Sequence, residues 1–212
     1  MRKRKSKHEI QDEPDQQDQL GLERLIFFSD AVFAIAITLL ALEIRLPATL
    51  EITDDAQLFA RLTGMWHEYL AFFISFMVIG TFWMAHHRKF KFIKNYDSRL
   101  VFLNLLLLMV IAFIPFPSSI ISKYAERTAT IFYALTMALA GLFLTSIWRY
   151  ASHHNRFVDP NLDTRVRNRE FIVPLTTTTI FLLSIGIAFW DADISRLSWL
   201  LILPTSLFMN KT

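Results

Sequence analysis

The sequence contains no cysteine in 212 residues, so neither a disulfide framework nor a thiolate metal site can form, and the fold must hold by packing alone. Glycine is scarce. Its five scattered copies build neither the Thr-Val-Gly-Tyr-Gly run whose carbonyls ring an ion filter nor the loops that cradle phosphates or dinucleotides. No segment repeats arginine at every third position, which excludes a voltage-sensing helix. His67-Glu68 lacks the second histidine of a helical zinc-protease site, and Ser29 lacks the flanking glycines of a nucleophile elbow. The pairs His86-His87 and His153-His154 are adjacent, so on a helix their rings diverge by about 100° and do not readily chelate one ion. No enzymatic chemistry, no metal site and no cofactor are expected.

What is abundant is apolar. The chain is 53% hydrophobic with 20 Phe, its mean hydropathy is +0.36, and its charges are clustered rather than interspersed as on a soluble surface. Six apolar segments stand out, at 24–44, 68–86, 100–118, 128–149, 171–190 and 194–210. The pattern predicts an all-α integral membrane protein with six transmembrane helices. Only Asp191, Ala192 and Asp193 separate the last two, which forces a tight antiparallel hairpin. Pro174 fits a helix start, and Thr176 to Thr179 can return hydrogen bonds to their own backbone. Trp66, Trp148, Trp190 and Trp199 fall near span ends, where indoles anchor.

Lys and Arg accumulate on the cytoplasmic side of a membrane protein, and three groups alternate with poorer loops here. Arg2 to Lys7, Arg88 to Arg99, and Arg156 to Arg169 are basic, whereas the first, third and fifth connections are mixed or acidic. Both termini are therefore expected in the cytoplasm, which requires an even number of spans. Residues 1–20 read as a disordered basic and acidic tail, with no apolar core behind the basic start to make a cleavable signal. Residues 21–212 form the membrane domain. The net charge of +3 reflects these loops, and nothing else supports nucleic-acid binding.

Asp30 lies inside the first apolar segment, where a carboxylate costs several kcal/mol without a partner or water. His86 and His87 close the second segment at about the same depth as Arg24 and Asp30, so a hydrogen-bonded polar cluster is expected there. A helix-packing staple and a functional element both fit such a cluster. From Asp30 onward, Ala31, Ile35, Thr38 and Leu42 recur at four-three-four spacing with Leu39 alongside, marking one stripe of the helix. Lipid contact, core packing or a pore lining would each produce that stripe. Ala31, Ala34, Ala36 and Ala41 are small enough for backbones to approach closely.

Arg24 followed by Phe28-Ser29-Asp30, then Trp83-Met84-Ala85-His86-His87-Arg88 and Asn104, resembles the prokaryotic branch of the endolysosomal transmembrane potassium channel family. The resemblance covers the whole six-helix unit, of which eukaryotic members carry two. It implies a homotetramer in the prokaryotic plasma membrane, with a central pore lined by the first helix and its tightest constriction at Ile35. Thr38, Leu39 and Leu42 would line the same pore, and Arg24, Phe28, Ser29, Asp30, Trp83, His86, His87 and Asn104 would form a structural or gating network. Potassium would be preferred over sodium by the cost of dehydration at an apolar ring, with sodium and proton passage left open. A secondary transporter would be expected to show broken helices and paired repeats, which are absent; a non-conducting assembly subunit stays compatible with hydropathy.

Overall fold

The computed structural model describes residues 9–46, 53–124 and 126–202, and side chains from residue 17 onward. Within these, every regular element is helical: α1 (Glu9–Leu42), α2 (Asp55–Gly64), α3 (Trp66–Phe92), α4 (Ser98–Phe113), α5 (Pro115–Lys123), α6 (Arg127–Ser152), α7 (Thr164–Ala188) and α8 (Ala192–Ser198). Five stretches are long and apolar enough to cross a bilayer: Gln17–Leu42, Trp66–Phe92, Ser98–Lys123, Arg127–Asn155 and Thr164–Ala188. The expected sixth span at 194–210 is represented by α8 and a 3-10 turn at Trp199–Leu201. Its remainder lies outside the described residues, as does the first part of the expected 1–20 tail, whose later part belongs to α1.

Aspartates cap the starts of α4, α7 and α8. The carboxylate of Asp97 accepts from Leu100 N at 2.8 Å, that of Asp163 from Arg165 N at 2.8 Å, and that of Asp191 from the amides of Asp193 and Ile194. The third span is interrupted after Ile114 because Pro115 has no N–H to continue the ladder, and it restarts α5 as the first helical residue.

Pro174 departs from expectation. The fifth span begins ten residues earlier, at Thr164, so the proline sits buried in the helix interior rather than at its start. A proline there leaves the carbonyl four residues back without its helical donor, and that carbonyl belongs to Glu170. Trp148 is also displaced from its expected role: it is fully buried, donating Nε1–H to the Arg167 carbonyl at 3.0 Å. Trp199 is buried as well, stacked on Tyr133, while Trp66 and Trp190 are exposed. Burial followed from the α6–α7 pairing rather than from position in the chain.

That pairing is close because Gly141 faces Thr178. A Cβ on Gly141 would lie 2.1 Å from the Thr178 hydroxyl oxygen, and Ala134 and Ala138 extend the same small-residue surface of α6. All four threonines at 176–179 return their hydroxyl hydrogens to the carbonyl four residues before. α6 also packs on α4, and α1 lies against α3 and α4. The starts of α1, α4 and α7 and the ends of α3 and α6 thereby gather at one end, called here the near end; α2, α5's end and α8 gather at the far end.

Candidate functional site

α1 buries a narrow stripe against its own bundle, made of Leu22, Ser29, Phe33, Ala36 and Leu40. Their spacing of seven, four, three and four residues is that of one helix face. Leu25, Ile26, Val32 and Ile37 flank that stripe half-buried, and the opposite face of α1 is uncovered: α1 is the least buried of the five spans, with 22% of its most apolar window inside against 61% for the α6 span. Ile35 and Leu42 are each 58% exposed, and Phe28, Thr38 and Leu39 share the open side with Ala31, Ala34 and Ala41. Ala36, by contrast, packs inside. The Thr38 hydroxyl donates to the Ile35 carbonyl at 2.8 Å, which leaves its lone pairs facing outward.

Two polar connections near the start of the apolar part of α1 fix which side faces out. The Trp83 indole donates Nε1–H to Asp30 Oδ1 at 2.8 Å, spanning from α3 to α1. Beside it, Asn104 of α4 donates from Nδ2 to the Ser29 hydroxyl at 2.9 Å, and Ser29 in turn donates to the Leu25 carbonyl at 2.8 Å. Asn104 Oδ1 is thus left as an acceptor, so His86 Nε2, 2.9 Å away, must carry the proton. The chain of donors runs His86 to Asn104 to Ser29 to backbone, all three side chains being fully buried. His86 Nδ1 is buried and has no hydrogen-bond partner, while the ring stacks on Phe90 at 4.3 Å and tilts against Phe33. The geometry therefore accommodates the neutral Nε2–H imidazole. His87 stacks on Trp83. Arg24 is exposed and is not brought into this cluster.

A second polar centre at the near end had not been anticipated. Lys89 and Glu170 are both fully buried, with Lys89 Nζ 3.1 Å from Glu170 Oε2 and donating also to the Glu170 carbonyl at 2.7 Å. That is the carbonyl released by Pro174, so one ammonium satisfies both the carboxylate and the gap in the helix. Arg88 lies 3.2 Å and Arg169 3.7 Å from Glu170 Oε1, and Lys89 also faces the Trp148 ring. The sequence holds one signal for it, an acidic residue four positions before a proline, but the apolar segment expected at 171–190 starts one residue after Glu170.

At the near end, the end of α6 and the α6–α7 connection are tied to the head of α4. Tyr150 donates to Asp97 Oδ2 at 2.6 Å and accepts from Arg156 Nη1 at 2.6 Å. Partial burial would raise the Asp97 carboxyl, but the hydrogen bonds from Tyr150 and the Leu100 amide, with the Arg156 charge, hold it below its ordinary value. No group of three or more potential His or carboxylate metal ligands occurs among the described residues.

These features define a class: a membrane-embedded helical bundle whose first span is held by a buried polar chain and offers an uncovered face. Comparison with known proteins gives the particular family. The sequence model described as Endosomal/lysosomal potassium channel TMEM175 matches residues 24–115, which contain the whole polar chain. A potassium channel of Streptomyces collinus is 34% identical over 177 residues, covering 81% of this chain and 84% of that protein. A potassium channel of Chamaesiphon minutus is 36% identical over 156 residues, covering 71% and 75%. The crystal structure of a lysosomal potassium-selective channel TMEM175 homolog from Chamaesiphon minutus superposes with a TM-score of 0.78 at 29% identity, covering 91% of this chain and all of that one. The chain belongs to the TMEM175 family.

Proposed function

We propose that this protein is a potassium-selective cation channel: a passive homotetramer whose pore is lined by the uncovered face of α1. The observation that carries this is the face itself. α1 is anchored by Asp30–Trp83 and by the His86–Asn104–Ser29 chain so that Ile35, Thr38, Leu39 and Leu42 point away from their own subunit. Four copies about an axis would bring those residues into rings. The relatives named as potassium channels support the ion.

In this reading the Ile35 ring is the constriction. An ion crossing an apolar ring must shed water, potassium does so at lower cost than sodium, and the outward lone pairs of Thr38 offset part of the loss. The same ring gates by dewetting, so small movements of α1 open or close it. The polar chain fixes the rotation of α1 and hence which residues face the axis; Arg24, exposed at the same end, is free to meet a neighbouring subunit or a lipid headgroup. Both termini lie in the cytoplasm, a sixth span completes the bundle, and the protein resides in the plasma membrane of its host. No cofactor takes part.

Proton passage is the second reading, favoured by relatives in chicken and human named endosomal/lysosomal proton channel, 32% and 30% identical over parts of their chains. One experiment addresses both. Purified protein in liposomes, with potassium opposed by sodium across a pH step, should reverse toward the potassium potential, and Ile35→Asn should wet the constriction and raise current. Reversal that follows pH alone would replace potassium by protons. Current unchanged in Ile35→Asn would remove α1 as the pore lining, and silence from folded tetramers would leave a transporter or an assembly subunit.

A further inference from the structure

A crevice of about 610 Å³ opens at the far end between α3, α5, α6 and α8, within the range of built ligand sites. Its walls are Leu70 and Ile74 of α3, Ile121 of α5, and Leu197, Trp199 and Leu200 of the last described segment. Leu70, Leu197 and Leu200 are exposed, so the crevice has an apolar opening. Its depth along α3, from Trp66 to Ser75, is nine residues, or about 14 Å. One leaflet of hydrocarbon is about 15 Å thick.

The polar atoms inside largely satisfy one another. The Ser75 and Tyr133 hydroxyls bond to one another at 3.1 Å, and the Trp199 indole N–H goes to Ser184 Oγ at 2.9 Å. A ligand reaching the floor meets at most the one hydroxyl hydrogen this pair leaves over, among aliphatic and aromatic walls, so its inner part is chiefly apolar. The rim is different. His67 and Lys123 stand there together with the Arg196–Asp193 ion pair, and Lys123 has no carboxylate partner among the described residues. An apolar slot one leaflet deep beneath a cationic rim has the chemistry of an anionic amphiphile.

We propose that this crevice binds one acyl chain of an anionic glycerophospholipid, its phosphate resting at Lys123. The site is separate from the α1 face and does not depend on the channel reading. Lipid in the slot would hold α8 against α3 and α5, replacing contacts that an empty slot lacks.

The test is native mass spectrometry of the purified, delipidated protein in detergent, given dioleoyl phosphatidylglycerol or dioleoyl phosphatidylcholine. The wild type should retain one phosphatidylglycerol per subunit, about fivefold in preference to phosphatidylcholine, as one added cation near a phosphate implies. Lys123→Gln should keep binding and lose the preference. Ala71→Trp, which puts an indole into the slot, should lose the lipid, and Ser122→Trp at the opposite wall should do the same and decides the matter if the first variant does not fold. Retention unchanged in the folded tryptophan variants would overturn the site. Equal retention of the two lipids by the wild type would overturn the headgroup assignment, and no retained lipid would overturn the proposal.

Discussion

Glu170→Gln should destabilise this protein more than Lys89→Met, although the two residues form one ion pair. Removing the carboxylate leaves Lys89 buried with no counter-charge, alongside Arg88 and Arg169, and breaking a buried pair in this way costs about 3–5 kcal/mol. Removing the ammonium leaves Glu170 still facing Arg88 at 3.2 Å and Arg169 at 3.7 Å. The main loss is then the donor to the Glu170 carbonyl, and an orphaned buried carbonyl costs about 1–3 kcal/mol. The double variant Lys89→Met/Glu170→Gln should recover part of the Glu170→Gln loss, because no buried lysine remains. Pro174→Ala adds a direct check. It returns an N–H to that carbonyl, so Lys89→Met should cost less in the Pro174→Ala background than in the native one. Thermal unfolding of purified protein in one mild detergent ranks the wild type and the five variants. A Lys89→Met loss equal to or above that of Glu170→Gln would refute the cation-rich picture of the site, and an unaltered cost in the Pro174→Ala background would refute the role given to the freed carbonyl.

Three further outcomes are expected. Asn104→Leu strands the His86 Nε2–H and should cost about 1–3 kcal/mol, most of it recovered by adding His86→Phe; a strictly additive pair would break the inferred chain of donors. Gly141→Ala gains about 1 kcal/mol of helix propensity but drives a methyl into Thr178, an overpacking cost of about 1–3 kcal/mol, so it should lower the melting temperature and be rescued by Thr178→Ala; a stabilised single variant would contradict the close α6–α7 approach. Because Asp97 titrates lower folded than unfolded, its contribution is present above pH about 3.8 and disappears as pH falls through the lowered value. Melting curves of wild type and Asp97→Asn should differ at neutral pH and converge in acid, and a gap that widened in acid would reverse the sign.

The spans were legible because twenty apolar residues in a row have few other uses, and five of the expected six appear among the described residues. A carboxylate in hydrocarbon demands a donor at matching depth, which pointed to His86 and His87; the donors to Asp30 and Ser29 are instead Trp83 and Asn104, which only the family resemblance had singled out, and His86 joins through Asn104. Helix rotation was not legible. The spacing of Ile35, Thr38 and Leu42 marks a stripe without saying what covers it, and only the buried set from Leu22 to Leu40 shows which side turns inward. Glu170 was missed because proline had been read as a boundary; a lysine on another helix can supply the missing donor, and nothing local in α7 announces that. Trp148 was misassigned for a related reason, since an indole near a span end and an indole in the core look alike until Gly141 and Thr178 bring two helices together.

The Lys89–Glu170 contact also sets an order of biogenesis. Lys89 leaves the ribosome 81 residues before Glu170, an interval of roughly 4–16 s at common rates of synthesis. During that interval α3 resides in the membrane with its lysine unmatched, at the basic end where a long side chain can reach the surface. Only when α7 arrives is the carboxylate present that Lys89 meets in the folded bundle. A nascent chain halted before residue 170 should therefore keep α3 loosely seated and open to proteases, because the helix that matches its lysine has not yet been made.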